Sequence, residues 1–280
     1  MILNRRNLLV GAGSVAAVAL VDFPITASAA QRRAIGLQLY TVRDIFAKDP
    51  VGTLEKVAGI GYREVEYGGG GFEAMDHAML RKTMDRLGLR APSVHVGYDA
   101  LLQKFEQSVA MVKTLGADTV VLPYMTDEHR SEQGWQAALP NFNRFAEALR
   151  KAGLGFAYHN HDFEFANKPG GTSLYDRFLK ETDPALVKIE LDLYWAAFAG
   201  ESLPALIDRL AGRIYAYHVK DMRADRGMAA VGQGTIDFAA LFKLKGSAGV
   251  GHFYVENDRA PAPYLPDIAT SFQTLRALRP

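Results

Sequence analysis

The sequence predicts an α/β protein that folds as a single closed (β/α)8 barrel. Eight short apolar runs alternate with amphipathic stretches over most of the chain. The apolar runs are continuous rather than alternating, as in parallel strands that are buried on both faces. No Pro-rich, Ser-rich or single-charge stretch divides them, and eight such units in ~250 residues fit a closed barrel better than an open sheet.

Each predicted strand is a short apolar run that ends at Gly, Asp, Asn or another polar residue. In chain order the strands are Ala34–Leu39, Tyr62–Glu66, Ala91–Val96, Thr119–Leu122, Gly155–His159, Val187–Leu191, Ile214–Val219 and Phe253–Glu256. Runs of this length bounded by turn residues are typical of buried strands.

The amphipathic stretches between the strands predict helices. In chain order they are Thr53–Ile60, Glu73–Leu87, Tyr98–Leu115, Gln133–Lys151, Ser173–Lys180, Leu203–Leu210, Phe238–Lys245 and Leu265–Leu278. Several of them are followed by a glycine, such as Gly88 and Gly116, which takes the left-handed conformation after a helix without a Cβ clash. Asp49 before Pro50 is a pattern that starts helices.

The composition is that of an ordinary folded protein, and it excludes several functions. Of the 280 residues, 49% are hydrophobic and 22% are charged, with 32 Lys and Arg against 31 Asp and Glu. This balance gives no reason to expect nucleic-acid binding, which usually leaves a basic excess. The chain has no cysteine, so a disulfide framework, a thiolate metal site and a cysteine nucleophile are excluded.

The first thirty residues predict an export signal. Arg5 and Arg6 precede an apolar run over residues 8–21, and Ala27-Ser28-Ala29 forms a small-x-small cleavage pattern. The arginine pair is typical of the twin-arginine route. The run is short and rich in Gly and Ala for a membrane span. We therefore expect residues 1–30 to be removed and the barrel of residues 31–280 to reach the periplasm without a stable anchor. The alternative is a frayed or anchoring N-terminus.

Polar residues gather at the carboxyl ends of the predicted strands, where barrels of this kind carry their active sites. They are Gln38, Tyr40, Glu66, His95, Tyr124, His159, Asn160, His161, Glu164, Asp192, His218, Lys220 and Glu256. Any one of them alone is as well explained by a solvated rim or a satisfied core histidine. Together they indicate a metal site, because a buried charge is costly unless it is paired or metal-bound. Oxygen and imidazole ligands suit Mn, Mg, Co or Zn.

Six segments along the chain resemble one known family. They are GLQLYTVRD, GLGFAYHNHDFEF, VKIELDLYW, IYAYHVKD, GQGTIDF and HFYVENDR. In this order they resemble the sugar phosphate isomerase/epimerase group of the xylose-isomerase-like TIM-barrel superfamily. The resemblance covers the whole of residues 31–280. It implies one divalent metal ion and a small sugar or keto-sugar as the substrate, and it leaves an oligomer open. The superfamily also contains DNA-repair nucleases, but the neutral charge balance and the predicted export signal argue against a nucleic-acid partner.

The resemblance also implies a metal held by the fifth to eighth strands. Three ligands carry over directly, namely Asp192, His218 and Glu256. Where many members have a Glu on the fifth strand, this chain has His159, Asn160 and His161, and the nearest glutamate is Glu164. Glu164 is therefore the expected fourth ligand, and His159 is the competing choice.

The activity that the resemblance implies is proton transfer through an enediolate stabilised by the metal, as in a sugar isomerase or epimerase. Glu256, Glu164 and His161 are the expected proton-transfer residues. Loss of a leaving group from the same enediolate would instead make the protein a lyase or dehydratase that acts on a keto-sugar or 3-keto-glycoside. A non-catalytic sugar-binding barrel is a further alternative, although it has little use for a charged ligand set.

The remaining polar and aromatic residues at the strand ends are expected to bind the substrate. They are Gln38, Tyr40, His95, His159, Trp195 and Lys220. Lys220 would hold a substrate hydroxyl or anion, unless it is simply solvated. Trp195 would stack on a sugar face, with packing as its alternative. Gly232-x-Gly234 is more typical of a turn than of a phosphate-binding loop.

Overall fold

In the computed structural model, which describes residues 34–280, eight parallel strands form the central sheet. These are β1 (Ile35–Gln38), β2 (Glu64–Glu66), β3 (Ser93–His95), β4 (Thr119–Leu122), β5 (Gly155–His159), β6 (Val187–Asp192), β7 (Ile214–Val219) and β10 (His252–Val255). Two further strands, β8 (Asp221–Met222) and β9 (Met228–Ala229), form a small antiparallel hairpin that follows β7.

The helices lie between the strands along the chain. They are α1 (Arg43–Phe46), α2 (Pro50–Ile60), α3 (His77–Leu87), α4 (Tyr98–Gln103), α5 (Phe105–Leu115), α6 (Asp127–Arg130), α7 (Glu132–Lys151), α8 (Phe163–Ala166), α9 (Leu174–Glu181), α10 (Leu193–Phe198), α11 (Leu203–Arg209), α12 (Phe238–Leu241) and α13 (Leu265–Leu278). Short 3-10 turns cover Leu39–Val42, Phe72–Ala74, Pro169–Gly171 and Lys245–Ser247.

The sheet closes almost completely on itself, which confirms the predicted (β/α)8 barrel. Its order is β2-β1-β10-β7-β6-β5-β4-β3, so the first strand pairs with the last strand of the barrel. The remaining seam lies between β2 and β3. Two isolated bridges join it, Glu64 to Arg90 and Tyr67 to Val94.

The barrel interior is filled by side chains that alternate along each strand. Gly36 leaves room for the Tyr254 ring, because a Cβ at this position would lie 2.3 Å from the ring. Ser93 Oγ donates a hydrogen bond to Tyr254 Oη at 2.9 Å. Residues two further along each strand lie on the same face. This alternation turns Gln38 and His95 into the barrel, nearer the carboxyl ends of the strands.

Helix starts follow side-chain caps more closely than hydrophobic periodicity. The first long helix begins at Pro50, three residues before the predicted start, because Asp49 accepts a hydrogen bond from Gly52 N at 2.8 Å. The helix predicted from Glu73 begins at His77, because Asp76 caps it by accepting from Met79 N at 2.9 Å. These shifts agree with the stabilising role of N-cap carboxylates.

Two predicted helices were too long. The stretch predicted as Tyr98–Leu115 is divided at Lys104, whose backbone (φ −133°, ψ 36°) is not helical, into α4 and α5. The stretch predicted as Phe238–Lys245 ends at Leu241, and a 3-10 turn follows it. In contrast, the last helix has its predicted bounds, Leu265–Leu278.

The short helices that follow β5 and β6 were not predicted, and both carry residues of the candidate site. Asp192 ends β6 and also caps α10, because its Oδ1 accepts from Trp195 N at 2.8 Å. Glu164 lies in the first turn of α8. Such single-turn helices are too short to show a hydrophobic period.

The predicted export signal lies outside the described residues and stays a prediction. Within residues 34–280, no helix combines the length and the apolar character that crossing a membrane requires.

Candidate metal and substrate site

A cavity of about 510 Å³ opens at the carboxyl ends of the strands. Its polar and aromatic lining residues are Tyr40, Phe72, Glu73, His95, Tyr124, His159, His161, Lys220, Glu256 and Asp258. All but Phe72, Glu73 and Asp258 had been identified from the sequence as strand-end residues. The strand ends therefore come together around one cavity, as expected for a barrel.

Four charged side chains, which we call the mouth cluster, lie on the β6, β7 and β10 side: Asp192, Lys220, Glu256 and Asp258. Lys220 Nζ lies 3.0 Å from Asp192 Oδ2, 2.8 Å from Glu256 Oε2 and 2.8 Å from Asp258 Oδ1. Three carboxylates surround one ammonium group, so the mouth cluster carries excess negative charge when all four groups are ionised.

The charges of the mouth cluster act on one another through a buried environment. Burial opposes ionisation of Glu256, but Lys220 and His218 hold the pKa of its carboxyl well below the usual range. Burial raises the pKa of Asp192 to about 6, although Lys220 and His218 oppose this shift. Burial also raises the pKa of Asp258, against the effect of Lys220.

The fifth strand delivers imidazoles to this cluster. His159 is buried, and its Nε2 lies 3.7 Å from Asp192 Oδ2. Asn160 joins the ends of β5 and β6, because its Oδ1 accepts from Asp192 N at 3.0 Å and its Nδ2 donates to Asp192 O at 3.3 Å. Asn160 thus holds Asp192 beside His159.

His161 presents a neutral imidazole to the cavity. Burial, together with the charge of Lys220, holds its pKa well below the usual value. Its Nδ1 is buried and has no hydrogen-bond partner among the described residues. Its ring centre lies 5.1 Å from that of Tyr124 and 5.6 Å from that of Trp195. The imidazole is therefore neutral, with Nδ1 free to bond to a ligand in the cavity.

Both carboxylate oxygens of Glu164 accept hydrogen bonds from residues that precede it closely in the chain. Tyr158 Oη donates to its Oε1 at 2.5 Å, and His161 N donates to its Oε2 at 2.8 Å. Burial raises the pKa of this carboxyl to about 8, although both donors oppose the shift. Among residues 34–280, Glu164 belongs to neither group of side chains whose ligand atoms lie close enough together for a metal. A ligand role for Glu164 stays a prediction, and this geometry favours His159.

Beneath the mouth lies a second group, the inner cluster: Glu66, His95, Glu190 and His218. These residues come from β2, β3, β6 and β7, on opposite walls of the barrel. His218 connects the two clusters, because its Nδ1 lies 2.6 Å from Glu256 Oε2 and its Nε2 lies 2.7 Å from Glu66 Oε2.

The inner cluster alternates carboxylates with imidazoles. Burial and the charge of Glu190 oppose ionisation of Glu66, but His95 and His218 lower the pKa of its carboxyl. Burial alone would lower the pKa of His95, but Glu66 and Glu190 raise it to about 9. The pKa of His218 is likewise raised by Glu190 and Glu256 against burial.

Sequence reasoning missed Glu190 and Asp258, and it gave Glu66 no role. Glu190 lies two residues before Asp192 on β6, and alternate strand residues share a face. That spacing, with a carboxylate in an otherwise apolar run, is a signal that points into the barrel. Asp258 lies beyond the last strand, so strand periodicity does not place it.

The expected substrate-binding residues differ in how far their side chains are exposed to the cavity. Tyr40 and Tyr124 are 39% and 43% exposed at the cavity, so their rings are open to a ligand. Gln38 is buried and donates to Glu66 Oε2 at 2.8 Å, within the barrel. Trp195 is half-buried beside His161, with Lys220 Nζ 5.9 Å from its ring centre.

The Gly232-x-Gly234 segment is a turn that binds a carboxylate of its own chain. Gly232 N and Gly234 N donate to Asp221 Oδ2 at 2.8 and 2.9 Å, and Ile236 N donates to Asp221 Oδ1 at 3.2 Å. The predicted turn is therefore confirmed, and its amides are engaged by Asp221.

The donors at the mouth fit a divalent metal ion. Ligand atoms of Asp192, His218 and Glu256 all lie within 4.8 Å of one another. Asp192 Oδ2 is buried and accepts no hydrogen bond, since its ion pair with Lys220 lacks hydrogen-bond geometry. Imidazole and carboxylate donors with excess negative charge suit a first-row divalent ion or Mg²⁺.

Comparison with known proteins identifies the family of this chain. The family model for the xylose isomerase-like TIM barrel matches residues 54–278. The chain belongs to this family. An inosose dehydratase of Geobacillus thermodenitrificans is 28% identical over 151 residues, which are 47% of this chain and 50% of that enzyme. The inosose dehydratase of Geobacillus kaustophilus is 25% identical over 270 residues, 80% of this chain and 84% of its own.

Two solved structures share the fold of this chain. A sugar phosphate isomerase/epimerase from Parabacteroides distasonis has a TM-score of 0.75 at 25% identity, covering 89% of this chain and 96% of its own. The IOLI protein with a bound zinc atom has a TM-score of 0.69 at 14% identity, covering 88% of this chain and 98% of its own. At 14% identity, the second likeness shows the fold alone.

Proposed function

We propose that this protein is a metal-dependent lyase of the xylose isomerase-like family. It would remove the proton beside the carbonyl of a small keto-sugar or cyclic polyol ketone, and would then eliminate a neighbouring hydroxyl as water. One observation carries the choice of elimination. The two sides of the cavity differ in chemistry, with neutral imidazoles on the fifth-strand side and an ammonium group with carboxylates on the other.

The chain's own residues divide the work. When held by His159, Asp192, His218 and Glu256, a divalent ion would polarise the substrate carbonyl and so acidify the adjacent C–H. His161 accepts the C–H proton, because its imidazole is neutral and its Nδ1 has no partner. Base catalysis of this kind typically contributes about 10²–10⁴-fold to the rate.

The other side of the cavity serves the leaving group. Asp258 lines the cavity, and burial raises the pKa of its carboxyl, which suits a group that donates a proton. As the C–O bond breaks, Asp258 protonates the departing hydroxyl, and water and an unsaturated ketone result. Lys220 Nζ, 2.8 Å from Asp258 Oδ1, holds the Asp258 carboxylate that remains. Solvent then takes the proton from His161 and returns one to Asp258.

Elimination needs one base and one acid, whereas epimerisation needs a base on each face of the reacting carbon. The resemblance implies such a matched pair where the fifth strand carries a carboxylate, but in this chain both oxygens of Glu164 are engaged by Tyr158 and the His161 amide. The inosose dehydratases among the relatives support the same choice.

An isomerase or epimerase is the second candidate. Glu256 and His161 line the same cavity, so a carboxylate and an imidazole replace the usual pair of carboxylates. The Parabacteroides distasonis structure, at 25% identity, supports this candidate.

Incubation in deuterium oxide separates these functions. The metal-loaded protein would be incubated with an inosose and with a panel of ketoses, and the products analysed by mass spectrometry. We expect loss of water and an unsaturated ketone that absorbs in the ultraviolet. Deuterium uptake without loss of water would favour the isomerase or epimerase. Binding with neither reaction would contradict both and favour the sugar-binding barrel.

The His161→Asn variant tests the assignment of the base. It should keep its metal and lose turnover by about 10²–10⁴-fold. The matched control is Gln107→Asn, at an exposed position on α5. Full turnover in the His161→Asn variant would exclude His161 as the base.

A further inference from the structure

We propose that the inner cluster is a second divalent-metal site, in which Glu66, His95, Glu190 and His218 each give one ligand atom. This site goes beyond the proposed function, which uses the ion at the mouth alone. His218 would belong to both sites, with Nδ1 toward the mouth and Nε2 toward the inner ion.

The four inner atoms form a closed quadrilateral of donors. His95 Nε2 lies 3.0 Å from Glu66 Oε2 and 3.1 Å from Glu190 Oε2. His218 Nε2 lies 2.7 Å from Glu66 Oε2 and 3.0 Å from Glu190 Oε2. Nitrogen and oxygen thus alternate around the ring, and no two carboxylate oxygens are neighbours along an edge.

The size of this ring suits a transition-metal ion. Zn²⁺ binds imidazole nitrogen and carboxylate oxygen tetrahedrally at about 2.0–2.1 Å, which places its ligand atoms about 3.3–3.4 Å apart. The edges of this ring therefore need to lengthen by only a few tenths of an ångström. His159 adds a further nitrogen, because its Nδ1 lies 3.2 Å from Glu190 Oε2. Ligand atoms of His95, His159, Glu190 and His218 lie within 4.8 Å of one another, and Glu66 Oε2 joins this group through its contacts with the two imidazoles of His95 and His218.

An unpartnered oxygen supplies a second reason for a cation. The carboxylates of Glu66 and Glu190 are both fully buried, and His95 and His218 pair with one oxygen of each. Glu190 Oε1 is buried with no hydrogen-bond partner among the described residues. Its carboxylate thus has an oxygen to spare beyond the ring atom Oε2.

The mouth ion would weaken the hydrogen bonding that otherwise stabilises this cluster, a step that rests on the proposed function. A histidine that binds a metal through Nδ1 has a single N–H left to donate. His218 Nε2 faces two carboxylate oxygens, Glu66 Oε2 and Glu190 Oε2, and can satisfy only one of them fully. An inner cation would serve both oxygens. His218 would then give up its N–H proton and bridge the two ions, and metal binding commonly releases protons in this way.

Metal stoichiometry tests the proposal directly. The full chain would be freed of metal and titrated with Zn²⁺, and bound metal would be measured after dialysis, with Co²⁺ absorption as a second readout. We expect two equivalents in the wild type. Glu190→Gln should bind one, at the mouth, and Asp192→Asn should bind one, at the inner site. Glu147→Gln, an exposed carboxylate on α7, is the matched control and should bind two.

Each result separates this proposal from the proposed function. The wild type could instead bind one equivalent, which is lost in Asp192→Asn and kept in Glu190→Gln. This result would overturn the inner metal site, and the inner cluster would then hold only protonated imidazoles. One equivalent lost in Glu190→Gln and kept in Asp192→Asn would support the inner site and contradict the mouth site. No binding at all would contradict both. If Glu190→Gln does not fold, His95→Asn, at a side chain 11% exposed, should show the same loss.

Discussion

Glu164 shows that a local hydrogen bond decides what a carboxylate can do. Counted along the chain, it is the first glutamate after the end of the fifth strand. In three dimensions the chain turns into α8 directly after Asp162, and Glu164 reaches back to the amide of His161. Side chains at helix starts often bond to preceding amides in this way. Residue counting alone does not reveal such a turn.

The fifth-strand ligand can be decided by two substitutions. We expect His159→Ala to lower Zn²⁺ affinity by more than about 10–100-fold, the loss typical when a residue that only supports a ligand is removed. Glu164→Gln should keep its affinity, because both oxygens of Glu164 already accept hydrogen bonds, from Tyr158 Oη and His161 N. Competition with a chromophoric chelator measures both. Normal affinity in His159→Ala, with loss in Glu164→Gln, would restore the carboxylate as the ligand.

Glu164 should also make stability depend on pH. Its pKa is about 8 in the folded chain against an ordinary value of 4.5, so the folded state holds this proton more tightly. Stability is then fully present below about pH 4.5 and is lost as pH rises toward 8, at about 1.4 kcal/mol for each unit of pKa difference. The slope of Tm against pH between 5 and 8 should be reduced in Glu164→Gln. An identical slope in both proteins would contradict this.

At the scale of elements, strands were easier to predict than helices for a physical reason. Parallel strands such as β4 and β7 are buried on both faces, so each appears as an uninterrupted apolar run. Helix ends depend on single side chains, such as the Asp76 cap or the non-helical Lys104. The predicted strand ends therefore identified most residues of the site. The short helices α8 and α10, which fix the positions of Glu164 and Asp192, were not predicted.

Asp221 holds together the segment between β8 and α12. Its carboxylate accepts hydrogen bonds from the amides of Met222, Gly232, Gly234 and Ile236. The glycines are required, because a Cβ at Gly234 would lie 2.2 Å from Asp221 Oδ1 and Gly232 has a φ of +90°. A single buried carboxylate thus replaces the bound anion that a Gly-x-Gly pattern suggests.

Removal of this carboxylate should destabilise the fold. Asp221→Ala leaves several amides without acceptors, and each buried unsatisfied group costs about 1–3 kcal/mol. We expect a loss of ~3 kcal/mol in the free energy of unfolding, measured with urea. The matched control is Asp225→Ala, an exposed aspartate in the β8–β9 turn that also accepts from a glycine amide, and it should change stability little. Equal effects of the two substitutions would show that burial of Asp221 is unimportant.

At the scale of the molecule, the inner cluster lies where the barrel is least well closed. The seam between β2 and β3 has isolated bridges, including the bond from His95 N to Tyr67 O at 2.9 Å. Glu66 and His95 stand on either side of this seam. Their side chains meet Glu190 and His218 from the opposite wall, so the cluster connects the weakest junction of the sheet to its most continuous part.

Metal loading should therefore protect the seam more than the rest of the barrel. At a metal concentration of 100 Kd, binding stabilises the folded state by about 2.7 kcal/mol, and amides that exchange by global unfolding all slow by the same factor. Seam amides exchange by local opening in the metal-free protein, and they should slow further when ions bridge both walls. Hydrogen exchange would compare peptides around Val65 and His95 with those around Tyr158 and Ile189. If the seam peptides gained no more protection than the β5–β6 peptides, the metal would not bridge the seam.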